Sequence, residues 1–331
     1  MKNNLFVLTY SLSDDSNKRH AGFKAKDDII QILKTQGYKI HTITKGSNTI
    51  KTIQNILSIK NIPKRSHVLV QYPLGNYILK NIFILLMLKS MKIKITILIH
   101  DLELLRSKGK IPASEIFALN LADFLIVHTE KMKYKLKSVG VNTPTAILQL
   151  FDYLVEKTPY ENIGFNNKIV FAGNLKKSSF IKKLPSIPLK KYHFCLYGLP
   201  EVTSSSNVIY KGSFSPEDLS QIKGNWGLVW DGDSLESCSS LLGEYLRYIA
   251  PHKLSMYLAA GLPVIVWNKS AEAEFIEKNK IGIAIDNLYN LEKELDALSE
   301  SEIQILRNNV KKISIKLRNG EMIKGVLEKK Q

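Results

Sequence analysis

Short apolar runs alternate along the chain with longer segments whose apolar positions recur at helical spacing, which predicts a repeated strand, helix, strand order. Residues 5–10, 38–43 and 67–72 are predicted as the first three strands, the third ended by Pro73 and Gly75. Amphipathic helices separate them, one carrying Ile29, Ile30, Ile32 and Leu33 up to Gly37 and the other covering 48–59. Residues 77–92 form the most apolar segment, broken by Lys80 and Lys89 and too short to span a bilayer. It reads either as a helix buried against a sheet or as one that rests on a membrane surface with its lysines at the rim. The β-branched run 93–99 suits a parallel strand covered on both faces. A helix over 114–122, a strand over 124–127, a basic helix over 128–137 and a strand over 146–150 complete this half.

The pattern restarts at 168–172 and continues with strands at 193–198 and 208–212, a helix opened by Ser215 and Pro216, and a βαβ unit across 226–267. A strand at 283–286 and helices at 291–298 and 301–313 follow. The prediction is an α/β fold of two Rossmann-like domains, 1–155 and 156–313, each an open parallel sheet, facing one another across a cleft. The basic stretch 314–331 is then a partly helical tail free to pack back on the first domain. A length of 331 residues suits two domains better than one.

Charge changes this picture in one respect. Of the net +17, residues 1–150 hold 23 Lys+Arg against 9 Asp+Glu, a surplus of +14, and the remainder holds 24 against 21, a surplus of +3. A basic first half is drawn to nucleic acid, anionic lipid or a phosphate-bearing substrate. Nucleic acid is disfavoured, because zinc-finger spacing and RNP-type aromatic motifs are missing and lysine outweighs the base-reading arginine. Cys195 and Cys238 are far apart and lack metal-ligand spacing, which fits a reducing compartment. The first twenty residues lack the apolar core of an export signal, so the expected location is cytoplasmic.

Candidate chemistry gathers at predicted strand ends, where open α/β sheets bind ligands. Pro251, His252 and Lys253 open a helix; Lys253 there is either an anion ligand at the positive end of the helix dipole or a solvated first-turn lysine. Gly173 and Asn174, followed by Lys176 and Lys177, form a second glycine-cation turn, and Gly22 with Lys18, Arg19, Lys24 and Lys26 forms a third. Asp101, beside His100, is either a general base at the end of a central strand or a cap for the next helix. Asp231-Gly-Asp233 matches the Asp-x-Asp spacing used elsewhere to hold a divalent metal.

Four stretches carry a family resemblance: 21–26 (AGFKAK), 99–106 (IHDLELLR), 171–175 (FAGNL), and 227–234 (GLVWDGDS) taken with Pro251, His252, Lys253, Leu262 and Pro263. They cover nearly the whole chain, which resembles GT-B glycosyltransferases and, more closely, bacterial β-1,6-galactofuranosyltransferases of surface polysaccharide synthesis such as O-antigen or capsule. The resemblance implies inverting transfer of galactofuranose from UDP-galactofuranose to a sugar hydroxyl of a polysaccharide or lipid-linked glycan. It implies Asp101 as base with His100 as second candidate. It implies Lys253 and Lys177 as diphosphate ligands with Gly173, Asn174 and His252, joined by Gly22 and Lys24 from across the cleft. Tyr197 would border the uracil, and Asp231 and Asp233 would bind furanose hydroxyls rather than a metal, so no cofactor or divalent cation is expected. The enzyme would work at the inner face of the cell membrane, drawn to its anionic surface, with homo-oligomers left open and nucleic acid excluded as a partner. Glucosyltransferases that use UDP-glucose on serine-rich adhesins are similar at Gly173, Asn174 and Lys253. A non-catalytic sugar-nucleotide or glycan-binding partner of another transferase is the remaining alternative.

Overall fold

The computed structural model describes the chain apart from residues 1–3, 12–20, 45–48, 76, 107–111, 157–166 and 330–331. Its two compact units are Met1–Leu148 joined by the C-terminal stretch from Ile323, and Gln149–Met322.

The first unit carries β1 (Leu5–Ser11), α1 (Ala21–Thr35), β2 (Lys39–Thr44), α2 (Thr49–Ile59), β3 (His67–Tyr72) and α3 (Ile78–Ser90). It continues with β4 (Lys94–Ile99), α4 (Glu103–Arg106), α5 (Ala113–Asn120), β5 (Phe124–Val127), α6 (Glu130–Ser138) and β6 (Thr145–Ile147). The sheet order is β2-β1-β3-β4-β5-β6 and each neighbouring pair is parallel. Central strands of such a sheet are covered on both faces, and β4 accordingly buries every residue after Lys94. Thr129 caps α6 by accepting the Met132 N–H.

The second unit carries β7 (Lys168–Ala172), β8 (His193–Tyr197), β9 (Val208–Tyr210), β10 (Trp226–Val229), α7 (Leu241–Glu244), α8 (His252–Ala259) and β11 (Val264–Trp267). After these come α9 (Ala273–Lys278), β12 (Gly282–Ile285), α10 (Leu291–Asp296) and α11 (Glu300–Arg318), and α12 (Glu321–Glu328) crosses into the first unit. Its strands are also parallel, in the order β12-β11-β10-β7-β8-β9. One core cluster packs Phe171, Trp226, Trp230 and Trp267, and another packs Tyr257 with Val170 and Val229.

Three sequence expectations change. The basic turn expected around Gly22 and Lys24 is helical, because α1 begins at Ala21; Lys18 and Arg19 lie outside the described residues. The helix expected from Ser215 is a single turn at Leu219–Gln221, where Asp218 accepts the N–H of Ser220 and closes the turn locally. The third is α11, which starts in a capping box at Ser299 and Glu302 and runs through residue 313 to Arg318, so the boundary expected at 313/314 falls inside it.

Candidate active site

In the second unit the chain steps from β7 to β8 to β9 on one side and then returns to β10 on the other side of β7. Such a reversal leaves a crevice beyond the carboxyl ends of the two strands. Gly173 and Asn174 follow β7 there, and Trp230 to Asp233 follow β10.

The helix α8 is set on this edge by a close contact. The Tyr257 ring lies so near Gly227 that a Cβ on the glycine would come within 2.3 Å of the ring. The Tyr257 hydroxyl accepts the Ala172 N–H at 2.7 Å, tying α8 to the end of β7, and burial pushes its phenol above the usual range. The start of α8 then delivers Lys253. Its ammonium donates to Trp230 O at 3.3 Å and Asp231 Oδ2 at 3.4 Å, and it stands 4.5 Å from the centroid of the Phe171 ring. Ser178 Oγ donates to the other Asp231 oxygen at 3.4 Å. Charge-assisted bonds run at about 2.7–2.9 Å, so these longer contacts aim the ammonium without consuming it. The side chains of Lys253 and Asp231 keep 16% and 28% of their surface exposed.

Around this pair the loops are pinned by backbone. Gly198 has φ +138°, and a Cβ on it would fall 1.9 Å from Gly173 O, so only glycine permits the two strand ends to approach this closely. Gly173 N–H donates to Tyr197 O at 3.0 Å. Asn174 Oδ1 accepts the N–H groups of Lys176 and Lys177 at 3.0 and 3.1 Å, so its side chain shapes the turn that presents the exposed Lys177. His252 stacks on Tyr153, with centroids 4.9 Å apart, and meets Phe151 edge-on. Asp233 is exposed. Tyr197 is 4% exposed, its hydroxyl accepts the Lys223 N–H, and its ring meets that of Phe214 in a T-shaped contact with centroids 5.5 Å apart.

Sequence reasoning passed over Glu272, a buried carboxylate after β11 that accepts a 2.7 Å bond from Gln149 Nε2. Its signal in the sequence is the Ser-Ala-Glu-Ala-Glu stretch, which follows an apolar strand as the glycine-cation turns do.

The first unit reverses its strand order between β1 and β3, and the group standing there is Lys26. This lysine is buried, donates to Pro73 O at 2.9 Å and lies 4.2 Å from the centroid of the Tyr10 ring. Burial lowers its pKa to about 7, and the charge of Asp101 pulls it part of the way back. Gln71 links the next strands: its amide nitrogen donates to Lys26 O at 3.2 Å, and its oxygen receives the His100 Nε2–H at 2.9 Å. Asp101, partly exposed, follows β4 and accepts the Leu102 N–H at 3.0 Å. His128 donates from Nε2 to Ile99 O at 2.9 Å, and burial lowers its pKa to about 4, so it is neutral near pH 7. His100 and Asp101 are therefore grouped with Lys26, Gln71 and His128. Lys24 does not join them, because its ammonium is buried in an ion pair with Asp28 one helical turn later. Gly22 lies in the first turn of α1.

Among the described residues no group of three or more His, Cys, Asp or Glu side chains is placed to hold a metal ion, and no helix is long and apolar enough to cross a membrane. Cys195 and Cys238 are both buried thiols.

Comparison with known proteins covers nearly the whole chain. Residues 8–150 match the family model "Glucosyltransferase 3-like, N-terminal domain" and residues 169–330 match "Glucosyltransferase 3-like, C-terminal domain". The chain is 30% identical to the β-1,6-galactofuranosyltransferase WbbI of Escherichia coli (strain K12), over 96% of this chain and 97% of that one. It is 29% identical to glucosyltransferase 3 of Streptococcus parasanguinis, over 88% and 85% of the two chains. Among solved structures, Anabaena Alr3699/HepE in complex with UDP aligns with a TM-score of 0.60 at 10% identity, over 98% and 99% of the chains. The fold is GT-B, built from two Rossmann-like domains.

Proposed function

We propose, from the premise that this chain belongs to the glucosyltransferase 3-like family of glycosyltransferases, that it transfers galactofuranose from UDP-galactofuranose to a sugar hydroxyl with inversion at the anomeric carbon. The observation that carries this reading is Lys253, a cation aimed at the β7/β10 reversal by Trp230 O, Asp231 and Phe171. A diphosphate leaving group needs fixed positive charge where its bond to carbon breaks, and Lys253 at the start of α8 supplies it with the exposed Lys177. Asp101 takes the acceptor hydroxyl proton as the new carbon–oxygen bond forms and UDP departs. The second unit thus serves the donor and the first the acceptor, a polysaccharide or lipid-linked glycan met at an anionic membrane surface. Asp231 is occupied by Lys253 and Ser178, which supports a role in orienting the cation and the sugar over a role as a metal ligand.

A second reading keeps the same machinery and replaces the donor by UDP-glucose, favoured by the streptococcal glucosyltransferase relative at nearly equal identity. One assay separates the two: turnover of UDP-galactofuranose, UDP-galactopyranose and UDP-glucose side by side, with and without EDTA. The expected result is preference for UDP-galactofuranose, unchanged by EDTA. Preference for UDP-glucose selects the second reading, and loss in EDTA restored by Mn²⁺ overturns the metal-free assignment.

A further inference from the structure

The first sheet is crossed in one direction from β2 to β3, β4, β5 and β6, and in the opposite direction from β1 to β2. Right-handed crossovers therefore put α2, α3, α5 and α6 on one face and α1 on the other. On the four-helix face, α3 buries Ile84, Leu85 and Leu88 against the sheet and turns Leu79, Phe83 and Leu86 outward at i, i+4 and i+7. Leu79 is 75% exposed. Beside it α2 exposes Ile53 and Leu57, one turn apart, and α5 exposes Phe117. Lys80 and Lys89 lie on α3 and four more lysines lie on the bordering α6, against one glutamate each on α5 and α6, the first of them the buried Glu115.

An apolar stripe and a lysine-rich border together select the partner. A second copy would cover the apolar side chains but would set one basic face against another. Nucleic acid would neutralise the lysines and leave the leucines and phenylalanines against water. A bilayer bearing anionic headgroups satisfies both, taking the apolar side chains into the acyl boundary and the lysines at the headgroup level. We propose that the α2–α3–α5 face of the first unit is the surface on which this protein rests on an anionic lipid bilayer. This deepens, and rests on, the reading of the protein as a transferase that meets its acceptor at a membrane.

The test is co-sedimentation of the full chain with vesicles of phosphatidylglycerol and phosphatidylcholine, and with vesicles of phosphatidylcholine alone. The parent is expected to bind the anionic vesicles, more weakly as salt rises. The double variant Leu79→Asp/Phe83→Asp is expected to lose about tenfold or more of that binding. The uncharged double variant Leu79→Ser/Phe83→Ser is expected to weaken it in the same direction, with unfolding midpoints near the parent's. Because neither residue belongs to the transfer machinery, hydrolysis of the UDP-sugar in solution is expected to be unchanged. Equal vesicle binding by parent and variants overturns the inference, as does failure of the parent to bind. A variant that changes molar mass in light scattering while still binding vesicles assigns the face to a second copy and also overturns it. If the parent shows no turnover of any UDP-sugar, the transferase reading fails on its own, and the vesicle comparison still decides the face.

Discussion

At the strand-order reversal of the first sheet Lys26 is buried, with its ammonium on Pro73 O and beside the Tyr10 ring. At the corresponding reversal of the second sheet Lys253 stands over Phe171 on loose contacts and remains partly open to solvent. Both lysines occupy early positions of the helix that borders the reversal, Lys26 in α1 and Lys253 in α8. Topology brings a cation to each edge, and the packing around it decides whether an anion can reach it. The second edge is the one proposed to take the diphosphate. The first uses its lysine as an internal strut between α1 and the end of β3, beside the carboxylate proposed to do proton transfer.

That contrast fails most directly at Asp101. Replacing it with Asn removes the carboxylate proposed as base, so turnover is expected to fall about 10²–10⁴-fold. UDP affinity, measured by calorimetry, should stay within about twofold of the parent. Equal losses of turnover and UDP binding would mean that the two edges do not divide the work as proposed. Lys253→Met is the next largest effect, with turnover down about 10²–10³-fold as one preorganised charge on the leaving group is lost. Here UDP binding should weaken too, and the same calorimetry measures it. Turnover within threefold of the parent would place the diphosphate elsewhere.

The contrast was only half visible in the sequence. Apolar runs between glycine and proline stops placed β3 at residues 67–72, and the alternation of strands and helices was enough for two parallel sheets. The dense charge of 17–26 reads as loop, yet Lys24 and Asp28 are one helical turn apart and pair inside α1. The place of Lys253 in the first turn of a helix was legible because Pro251 and a helical pattern surround it. What aims it was not, since Phe171 and the Tyr257 contact on Gly227 join segments far apart in the chain. Gln71 was a readable signal, being a polar residue in an otherwise apolar strand, and it proves to connect His100 to Lys26.

Tyr257 sharpens the second half of the comparison. Tyr257→Phe keeps the ring against Gly227 and removes the acceptor of the buried Ala172 N–H, at an expected cost of about 1–3 kcal/mol in denaturant unfolding. If α8 is what sets Lys253, UDP affinity should fall a few-fold with it. Loss of stability with unaltered UDP binding would show that Lys253 is positioned by the β10 loop alone.

The smallest effect concerns the lysine that the first unit keeps inside. Lys26 has a folded pKa near 7 against the usual 10.5. Between those values the unfolded chain binds more protons at this position than the folded one, so stability rises with pH across that window. Below about pH 7 both states carry the proton and the burial penalty is present in full. The charge facing it is Asp101, which opposes the shift. Urea unfolding at pH 7 and pH 9 is therefore expected to show the parent gaining stability, and Lys26→Met losing most of that gain while remaining folded at both. An equal rise in both proteins would mean that Lys26 is hydrated in solution. It would then stand at the first reversal as Lys253 stands at the second, available to an anion, and the assignment of the diphosphate to one edge would lose its physical basis.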